Sequence, residues 1–365
     1  MKRKAAITVG KKTGTGISPA TVDVVPSPAL LGDLRSLIES TRIRVAVGVN
    51  AEMVMLYWDI GERIRIEILS DERAAYGKQV VNKLSDQLVT LYGPGFARTN
   101  LFNMIRFAEV FPDRSIVHSV SGQLSWTHFR NIIYIEDPLA REFYTEMCRL
   151  ERWSVRTLQA KIQGMLFERT ALSKKPEELA RKELAALRDE DRMTPDLVFK
   201  SPYFLEFLGL SDTFSEKDLE DSILRELERF ILELGTDFSF VARQKRISVD
   251  AEDYYIDLLF YHRKLRRLVA IDLKLGKFKA ADKGQMELYL RWLDAHDRQP
   301  GEESPIGLIL CAGSSVEHVE LLELEASSIR VAEYLTELPP RKLLEQKLKA
   351  AVAIARERLA GRKTG

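Results

Sequence analysis

The stretch YIDLLFY at residues 255–261 and the stretch VAIDLK at residues 269–274 decide the fold of the C-terminal half of this chain. Both are runs of aliphatic and aromatic residues typical of buried strands, and each carries one aspartate. The segment between them, HRKLRR at residues 262–267, is strongly charged and predicts a solvated turn. The sequence therefore predicts an antiparallel hairpin that places acidic side chains inside an apolar sheet.

The length of the turn sets which residues of this hairpin face each other. Folding about Lys264 and Leu265 places Asp257 opposite Asp272, with Cβ atoms on the order of 5 Å apart. Lys274 lies two residues beyond Asp272 and projects from the same face, because side chains alternate along a strand. We expect two carboxylates and one ammonium group to share one site.

Two opposed carboxylates in an apolar sheet repel each other and lose hydration. A divalent cation, Mg²⁺ or Mn²⁺, relieves both costs, since it takes one or two carboxylates together with water and phosphate oxygens. Lys274 can then position or deprotonate a water molecule, or neutralise charge at phosphorus. This chemistry favours phosphodiester hydrolysis. The alternative is a structural Asp–Lys ion pair, which leaves the opposed aspartates unexplained.

The remaining C-terminal pattern predicts an α/β domain with a mixed sheet. One helix is predicted from Glu216 to Leu234, with Gly235 as its stop. Strands are predicted over Phe238–Val249, Tyr254–Tyr261, Leu268–Leu273, Ile306–Cys311 and Ile329–Leu335, with a helix before the fourth and a short helix before the fifth. A charged helix follows Pro339-Pro340. The order is helix, three strands, helix, strand.

The N-terminal half predicts an all-α domain. Apolar residues recur at helical spacing from Leu31 to Ile38, and a further helix runs from about Lys78 to Tyr92. A Gly-Pro-Gly break separates it from a helix that begins at Arg98, which resembles a helix-turn-helix outline. Its polar residues Arg98, Asn100, Asn103 and Arg106 are candidate DNA contacts. Alternatively, they form the solvated face of an amphipathic helix.

Bulk composition limits the class of protein. The net charge is +1, so a nucleic-acid surface must be local, and two distant cysteines favour a reducing, cytoplasmic setting over a disulfide scaffold. No stretch is long and apolar enough to predict a membrane span. The predicted divisions are a disordered basic tail (1–28), a helical domain (29–171), a charged linker (172–200), the α/β domain (201–337) and a terminal helix (338–365).

The aspartates and the lysine carry a resemblance to a known superfamily. Ile256-Asp257 followed by Asp272-Leu273-Lys274 resembles the signature of PD-(D/E)XK nucleases, with Ile256 in place of the usual Pro. Gln285 and Tyr289 resemble the Gln-x-x-x-Tyr element of nucleases related to the RecB nuclease domain. The wider pattern, including the N-terminal half, is similar to the bacterial YhcG-like family. This implies a restriction-endonuclease-like αβββαβ fold and metal-dependent DNA cleavage.

The resemblance also implies further site residues. A Glu on the first core helix completes many such sites, and Glu220 is a better candidate for a third metal ligand than Glu226. Gln285 is expected to bind substrate or orient Lys274. Residues 241–283 hold eleven Lys or Arg against six Asp or Glu, which favours a phosphate backbone as partner. Candidate DNA contacts in this region are Arg263, Lys264, Arg266, Arg267, Lys277 and Tyr289.

Two other functions stay open at this point. Asp272 stands where the YhcG-like pattern usually has Glu, so the chain could be a catalytically inactive protein that binds DNA or assembles complexes on a retained nuclease fold. RNA is a further substrate, since nothing in the hairpin distinguishes the two sugars. The helical half could instead bind a protein partner or a second copy of the chain.

Overall fold

The computed structural model describes residues 47–66, 74–210, 213–313, 322 and 328–362. The chain divides into two compact units, residues 1–49 and residues 50–365. The predicted tail, the predicted helix from Leu31 to Ile38 and the predicted short helix before Ile329 lie outside the described residues. Within the described ranges, no helix is long and apolar enough to cross a membrane.

The N-terminal part is helical, as predicted. Its helices are residues 47–66 (α1), Ala74–Tyr92 (α2), Arg98–Val110 (α3), Arg114–Val120 (α4), Trp126–Ile132 (α5), Pro138–Glu151 (α6), Val155–Gln163 (α7), Leu166–Arg169 (α8), Glu177–Glu190 (α9) and Pro195–Val198 (α10). The break between α2 and α3 falls at Gly93, whose φ of 91° is costly for other residues. Both helix ends flanking this break lie where the sequence pattern placed them.

The segment predicted as a charged linker is instead part of the folded core. Residues 172–200 contain α9 and α10, and Ala180, Leu184 and Leu187 of α9 are fully buried. These three residues form a narrow apolar stripe at helical spacing, which the surrounding charges hide in a composition average. The charges lie outside the stripe and pair with one another, as Arg181 does with Glu177.

The C-terminal part is built on a mixed six-stranded sheet. Its strands are Tyr203–Phe204 (β1), Phe238–Val249 (β2), Glu252–His262 (β3), Arg267–Lys277 (β4), Ile306–Gly313 (β5) and Ile329–Leu335 (β6), in the order β1-β6-β5-β4-β3-β2. Strands β2, β3 and β4 are antiparallel, whereas β4, β5, β6 and β1 are parallel. This confirms the predicted α/β class, and β1 adds a short edge strand that the sequence pattern did not reveal.

Helices Glu216–Arg225 (α11), Leu227–Leu234 (α12) and Ala280–His296 (α13) lie against this sheet, and Arg341–Arg362 (α14) packs on α8. The one helix predicted from Glu216 to Leu234 is therefore two, because Glu226 leaves helical geometry at φ −106° and ψ 31°. Helix α13 packs very closely on β5. A Cβ atom at Gly307 would lie 2.5 Å from the Met286 side chain, so glycine is required for this approach.

Candidate active site

Asp257 lies where strands β3 and β4 separate. The strands pair as far as Leu258 and Ile271, in the register that the predicted turn requires. Beyond that pair, Oδ2 of Asp257 accepts a hydrogen bond of 2.8 Å from the backbone N–H of Leu273. The carboxylate therefore occupies the gap between the diverging strands, rather than standing in a regular cross-strand pair with Asp272.

Asp272 and Lys274 form an ion pair on β4. Lys274 Nζ lies 2.9 Å from Asp272 Oδ2, and the Asp272 side chain is only 3% exposed. Burial raises the pKa of Asp272 to about 6, although the nearby ammonium of Lys274 opposes the shift. Burial by itself would lower the pKa of Lys274, but the attraction of Asp272 outweighs it and leaves that pKa above its usual value. Lys274 therefore stays protonated at neutral pH.

Gln285 and Tyr289 link Lys274 to strand β3. Lys274 Nζ lies 3.5 Å from Gln285 Oε1, and the Gln285 amide donates to the hydroxyl oxygen of Tyr289 one turn later on α13. That hydroxyl donates in turn to the Tyr255 carbonyl at 2.9 Å. The predicted pairing of Gln285 with Lys274 is thus present. Tyr289 is 1% exposed, so it holds Gln285 in place. Contrary to the prediction, it does not lie on a surface that DNA could contact.

Glu220 lies beside the site, but its carboxylate is already engaged. Its Oε1 accepts from Arg243 Nε at 2.5 Å, and its Oε2 accepts from Gln244 Nε2 at 2.7 Å. Among the described residues, no group of three or more His, Cys, Asp or Glu is arranged to hold a metal ion. The predicted three-carboxylate ligand set of Asp257, Asp272 and Glu220 is therefore not assembled, because Arg243 and Gln244 satisfy Glu220.

Asp257 and Asp272 nevertheless fit a hard divalent cation. Burial raises the pKa of both carboxyl groups, and the Glu220 carboxylate raises that of Asp257 further. The buried Oδ2 of Asp272 faces the Lys274 ammonium at 2.9 Å, and no second donor among the described residues reaches it. Mg²⁺ sites commonly use one or two carboxylates, with water and substrate phosphate as the remaining ligands. This donor set matches that requirement.

Gln244 is a site residue that sequence reasoning missed. Its side-chain amide bridges Glu220 and Asp257, and it lies 3.2 Å from Asp257 Oδ1. Its backbone φ of 45° is in the left-handed region, which is uncommon for a residue other than glycine. In sequence, Gln244 is one polar residue of an edge strand. The register shift between Phe240 and Ala242 that precedes it leaves no sequence signal.

The basic turn between β3 and β4 lies away from the carboxylates. Arg266 is on the order of 20 Å from Asp272 along the strand. The basic residues of the turn have acidic partners. Lys264 pairs with Asp237 at 2.8 Å, and Arg266 and Arg267 approach Glu303 at 3.4 and 4.0 Å. These residues and Arg263 therefore lie apart from the carboxylates, and their contact with the DNA backbone stays a prediction, with a solvated turn as the alternative. Lys277 is exposed near the end of β4 that carries Asp272.

Three of the four candidate DNA contacts on α3 are used inside the protein. Asn103 is 4% exposed and accepts a hydrogen bond from the Tyr134 hydroxyl. Asn100 accepts from the Trp126 indole at 3.0 Å, and Arg106 donates to the Ile133 carbonyl at 2.7 Å. Arg98 alone of the four is exposed. Asn103 is therefore not a DNA contact, because burial removes it from the surface.

Comparison with known proteins places these features in a family. Residues 196–349 match the model of the "YhcG PDDEXK nuclease domain", and residues 33–169 match the "DUF1016 N-terminal domain". The Escherichia coli (strain K12) protein named "Putative nuclease YhcG" is 35% identical over 353 residues, which covers 88% of this chain and 93% of that protein.

Among solved structures, a repair endonuclease from Pyrococcus abyssi aligns with 18% identity and a TM-score of 0.25, over 36% of this chain and 50% of its own. A TM-score this low supports no conclusion about fold or function. The two family models and the E. coli relative together account for most of the chain. The chain belongs to the YhcG family and carries the PDDEXK nuclease domain of that family in its C-terminal part.

Proposed function

We propose that this protein is a divalent-metal-dependent DNA nuclease that hydrolyses phosphodiester bonds at Asp257, Asp272 and Lys274. The observation that carries the proposal is the buried Asp272–Lys274 ion pair beside Asp257, at the point where β3 and β4 separate. Two carboxyl groups whose pKa values are raised by burial favour a cation between them. The YhcG relative supports a nuclease over other uses of such a site.

The protein's own groups have distinct roles in this proposal. Asp257 and Asp272 would hold Mg²⁺ or Mn²⁺, which when bound polarises a phosphodiester oxygen. Lys274 stays protonated and stabilises the negative charge that develops on phosphorus as water attacks in line and a P–O bond breaks. Gln285 orients Lys274, and Gln244 with Glu220 orients Asp257. Lys277 is placed to contact the DNA backbone.

A cleavage panel tests the proposal. Linear, circular and single-stranded DNA, and a single-stranded RNA, are incubated with wild type and with Lys274→Ala, in Mg²⁺ or Mn²⁺ and in EDTA. We expect EDTA-sensitive cleavage of DNA that Lys274→Ala lowers by at least about 100-fold. Lys347→Ala on α14 removes an exposed lysine elsewhere and should leave the rate unchanged. Equal cleavage by wild type and Lys274→Ala would refute the assignment.

The alternative of an inactive scaffold has one observation in its favour. Glu220 is saturated by Arg243 and Gln244, so a third carboxylate is not available to a metal in this arrangement. Calorimetric titration with Mn²⁺ separates the two functions. Binding by wild type that Asp272→Asn abolishes supports the nuclease, whereas no heat with either protein supports the scaffold.

A further inference from the structure

A second basic surface lies on the helical part of the chain, on α5 and α7. It consists of six residues with polar side chains, none of which is acidic: Thr127, Arg130, Asn131, Tyr134, Arg156 and Gln159. We name it the α5/α7 face. It includes none of the residues assigned to the catalytic site, and none of the four candidates on α3.

The six residues form one continuous face. Those on α5 and the turn after it recur at intervals of three and four residues, which places them on one side of the helix. Arg156 and Gln159 are spaced in the same way on α7. The two helices are joined at this surface by a hydrogen bond of 3.1 Å from Gln159 Nε2 to Asn131 Oδ1.

Arg130 and Arg156 on this face have no ion-pair partner among the described residues, whereas Arg114 and Arg188 of the helical part do. Arg130 and Arg156 are exposed, and neither forms an ion pair or hydrogen bond with any residue that the structure describes. By contrast, Arg114 pairs with Asp59 at 2.9 Å and Arg188 with Glu142 at 3.2 Å. Uncompensated guanidinium groups attract phosphate, to which their planar donors are well matched.

Tyr134 adds an aromatic ring held in place at the same surface. It is 58% exposed, yet its hydroxyl donates to Asn103 Oδ1 and its ring lies under the Arg106 guanidinium at 5.1 Å. A large exposed ring with two such restraints has already lost much of its rotational freedom. It can therefore pack against a sugar or base with little further loss of entropy.

We infer that the α5/α7 face is a second DNA-binding surface, on which Arg130 and Arg156 contact the phosphate backbone of the DNA substrate. This inference rests on the proposed nuclease function for the choice of DNA as partner. Asn131 and Gln159 are bonded to each other, and Asn131 also donates to the Thr127 carbonyl, so these amides fix α5 against α7 and leave the arginines to contact the phosphates. The face holds DNA, while Asp257 and Asp272 act on it.

Fluorescence anisotropy with a labelled linear duplex in EDTA measures this binding without cleavage. The variants are Arg130→Ala/Arg156→Ala and the matched Arg181→Ala/Arg192→Ala, whose arginines are 50% and 61% exposed and ion-paired. Loss of two phosphate contacts should lower the slope of log affinity against log salt by about 2. The dissociation constant should rise about 10- to 100-fold near 0.1 M salt. The control should match wild type.

A charge-preserving variant separates electrostatics from misfolding. Arg130→Lys/Arg156→Lys should keep most of the salt slope, and circular dichroism should give all variants the same melting temperature. Equal slopes for the alanine variant and wild type would overturn the surface while leaving cleavage, and hence the nuclease, intact. Loss of affinity for a labelled RNA but not for DNA would overturn DNA as the partner.

Discussion

At the scale of single residues, Asp272 carries an electrostatic cost that the fold does not remove. Its carboxyl group is almost fully buried, and its pKa of about 6 remains high despite the adjacent Lys274. The folded protein therefore binds this proton more tightly than the unfolded chain does, and ionisation of Asp272 opposes folding. A cation at the site would reverse this, which is how a functional residue can be retained at a cost in stability.

This sign gives a pH prediction. In EDTA, wild type should lose stability relative to Asp272→Asn as the pH rises from about 4 to about 6. Above that range the difference should stay constant, since Asp272 is then ionised in both states. The attraction of Lys274 is already contained in the Asp272 pKa, so this slope is the net effect of burial and the ion pair. Melting temperatures of both proteins from pH 4 to pH 8 provide the measurement, and a difference independent of pH would contradict it.

Gln244 combines a left-handed backbone with two carboxylate contacts. Gln244→Ala and Gln244→Gly both remove the amide that holds Asp257, so cleavage should fall roughly 10-fold or more in each. Because φ is 45°, the glycine variant should be more stable than the alanine variant by about 1 kcal/mol. At Gln346, exposed on helix α14, the order should reverse. Urea titration measures both pairs, and the same order at both positions would exclude strain at Gln244.

At the scale of elements, one carboxylate oxygen joins the helical part to the sheet. Oε1 of Glu233 on α12 lies 2.6 Å from Arg169 of α8 and 3.5 Å from Lys200, and it accepts from the Phe204 N–H at 3.0 Å. Burial lowers the pKa of Lys200 to about 7, so its charge depends on this partner. Arg169 also stacks on the Phe204 ring. Glu233 thus is the carboxylate that two buried basic side chains share where α8, α12 and β1 meet.

Removing the Glu233 side chain should therefore destabilise the folded protein. Glu233→Ala leaves Arg169 and Lys200 buried without a counterion and should lower the free energy of unfolding by about 3–5 kcal/mol. Glu228→Ala, on an exposed position of the same helix, should change it by less than about 0.5 kcal/mol. Chemical denaturation of the two variants compares them directly. Equal stabilities would show that Glu233 does not link the elements.

At the scale of the whole molecule, residues 50–365 form a single compact unit. One apolar core extends from Val54 in α1 through the helical part to Tyr334 in β6. Helix α14 returns from the sheet, where Leu344 and Leu348 pack in a small cluster with Met165 and Phe204. The helical part and the nuclease domain therefore share buried surface, although two family models cover them separately.

A shared core predicts cooperative unfolding. Under pulse hydrogen exchange in increasing urea, peptides from residues 98–163 and 238–313 should lose protection at the same midpoint. Truncation before α14 should lower both midpoints together, because Leu344 and Leu348 lose their contacts. Two separate midpoints in the intact chain would show that the parts unfold independently.

Local patterning alone was enough for most strands of the sheet and for part of the site. Alternating and continuous apolar runs predict β2 to β6 and α13, and the turn length predicts the pairing of Leu258 with Ile271. Lys274 follows because it lies two residues beyond Asp272 on the same strand, whereas Gln285 was implied by the resemblance to the Gln-x-x-x-Tyr element. These features depend on periodicity and neighbours in sequence, which a single chain displays directly.

The contacts between segments far apart in sequence depend on the tertiary fold. The separation of β3 from β4 turns Asp257 toward Leu273, and Gln244 from the neighbouring strand reaches both Asp257 and Glu220. Glu220 was predicted to be a metal ligand, but it binds Arg243 and Gln244. Helical spacing indicates which face of a helix a residue lies on, but not which residue it contacts there. The charged turn likewise belongs to the hairpin that contains Asp272, but the length of the extended strand β4 separates the turn from this carboxylate. Residue types and spacing determine the chemistry available to this chain, whereas the packing of segments far apart in sequence decides which of those groups meet.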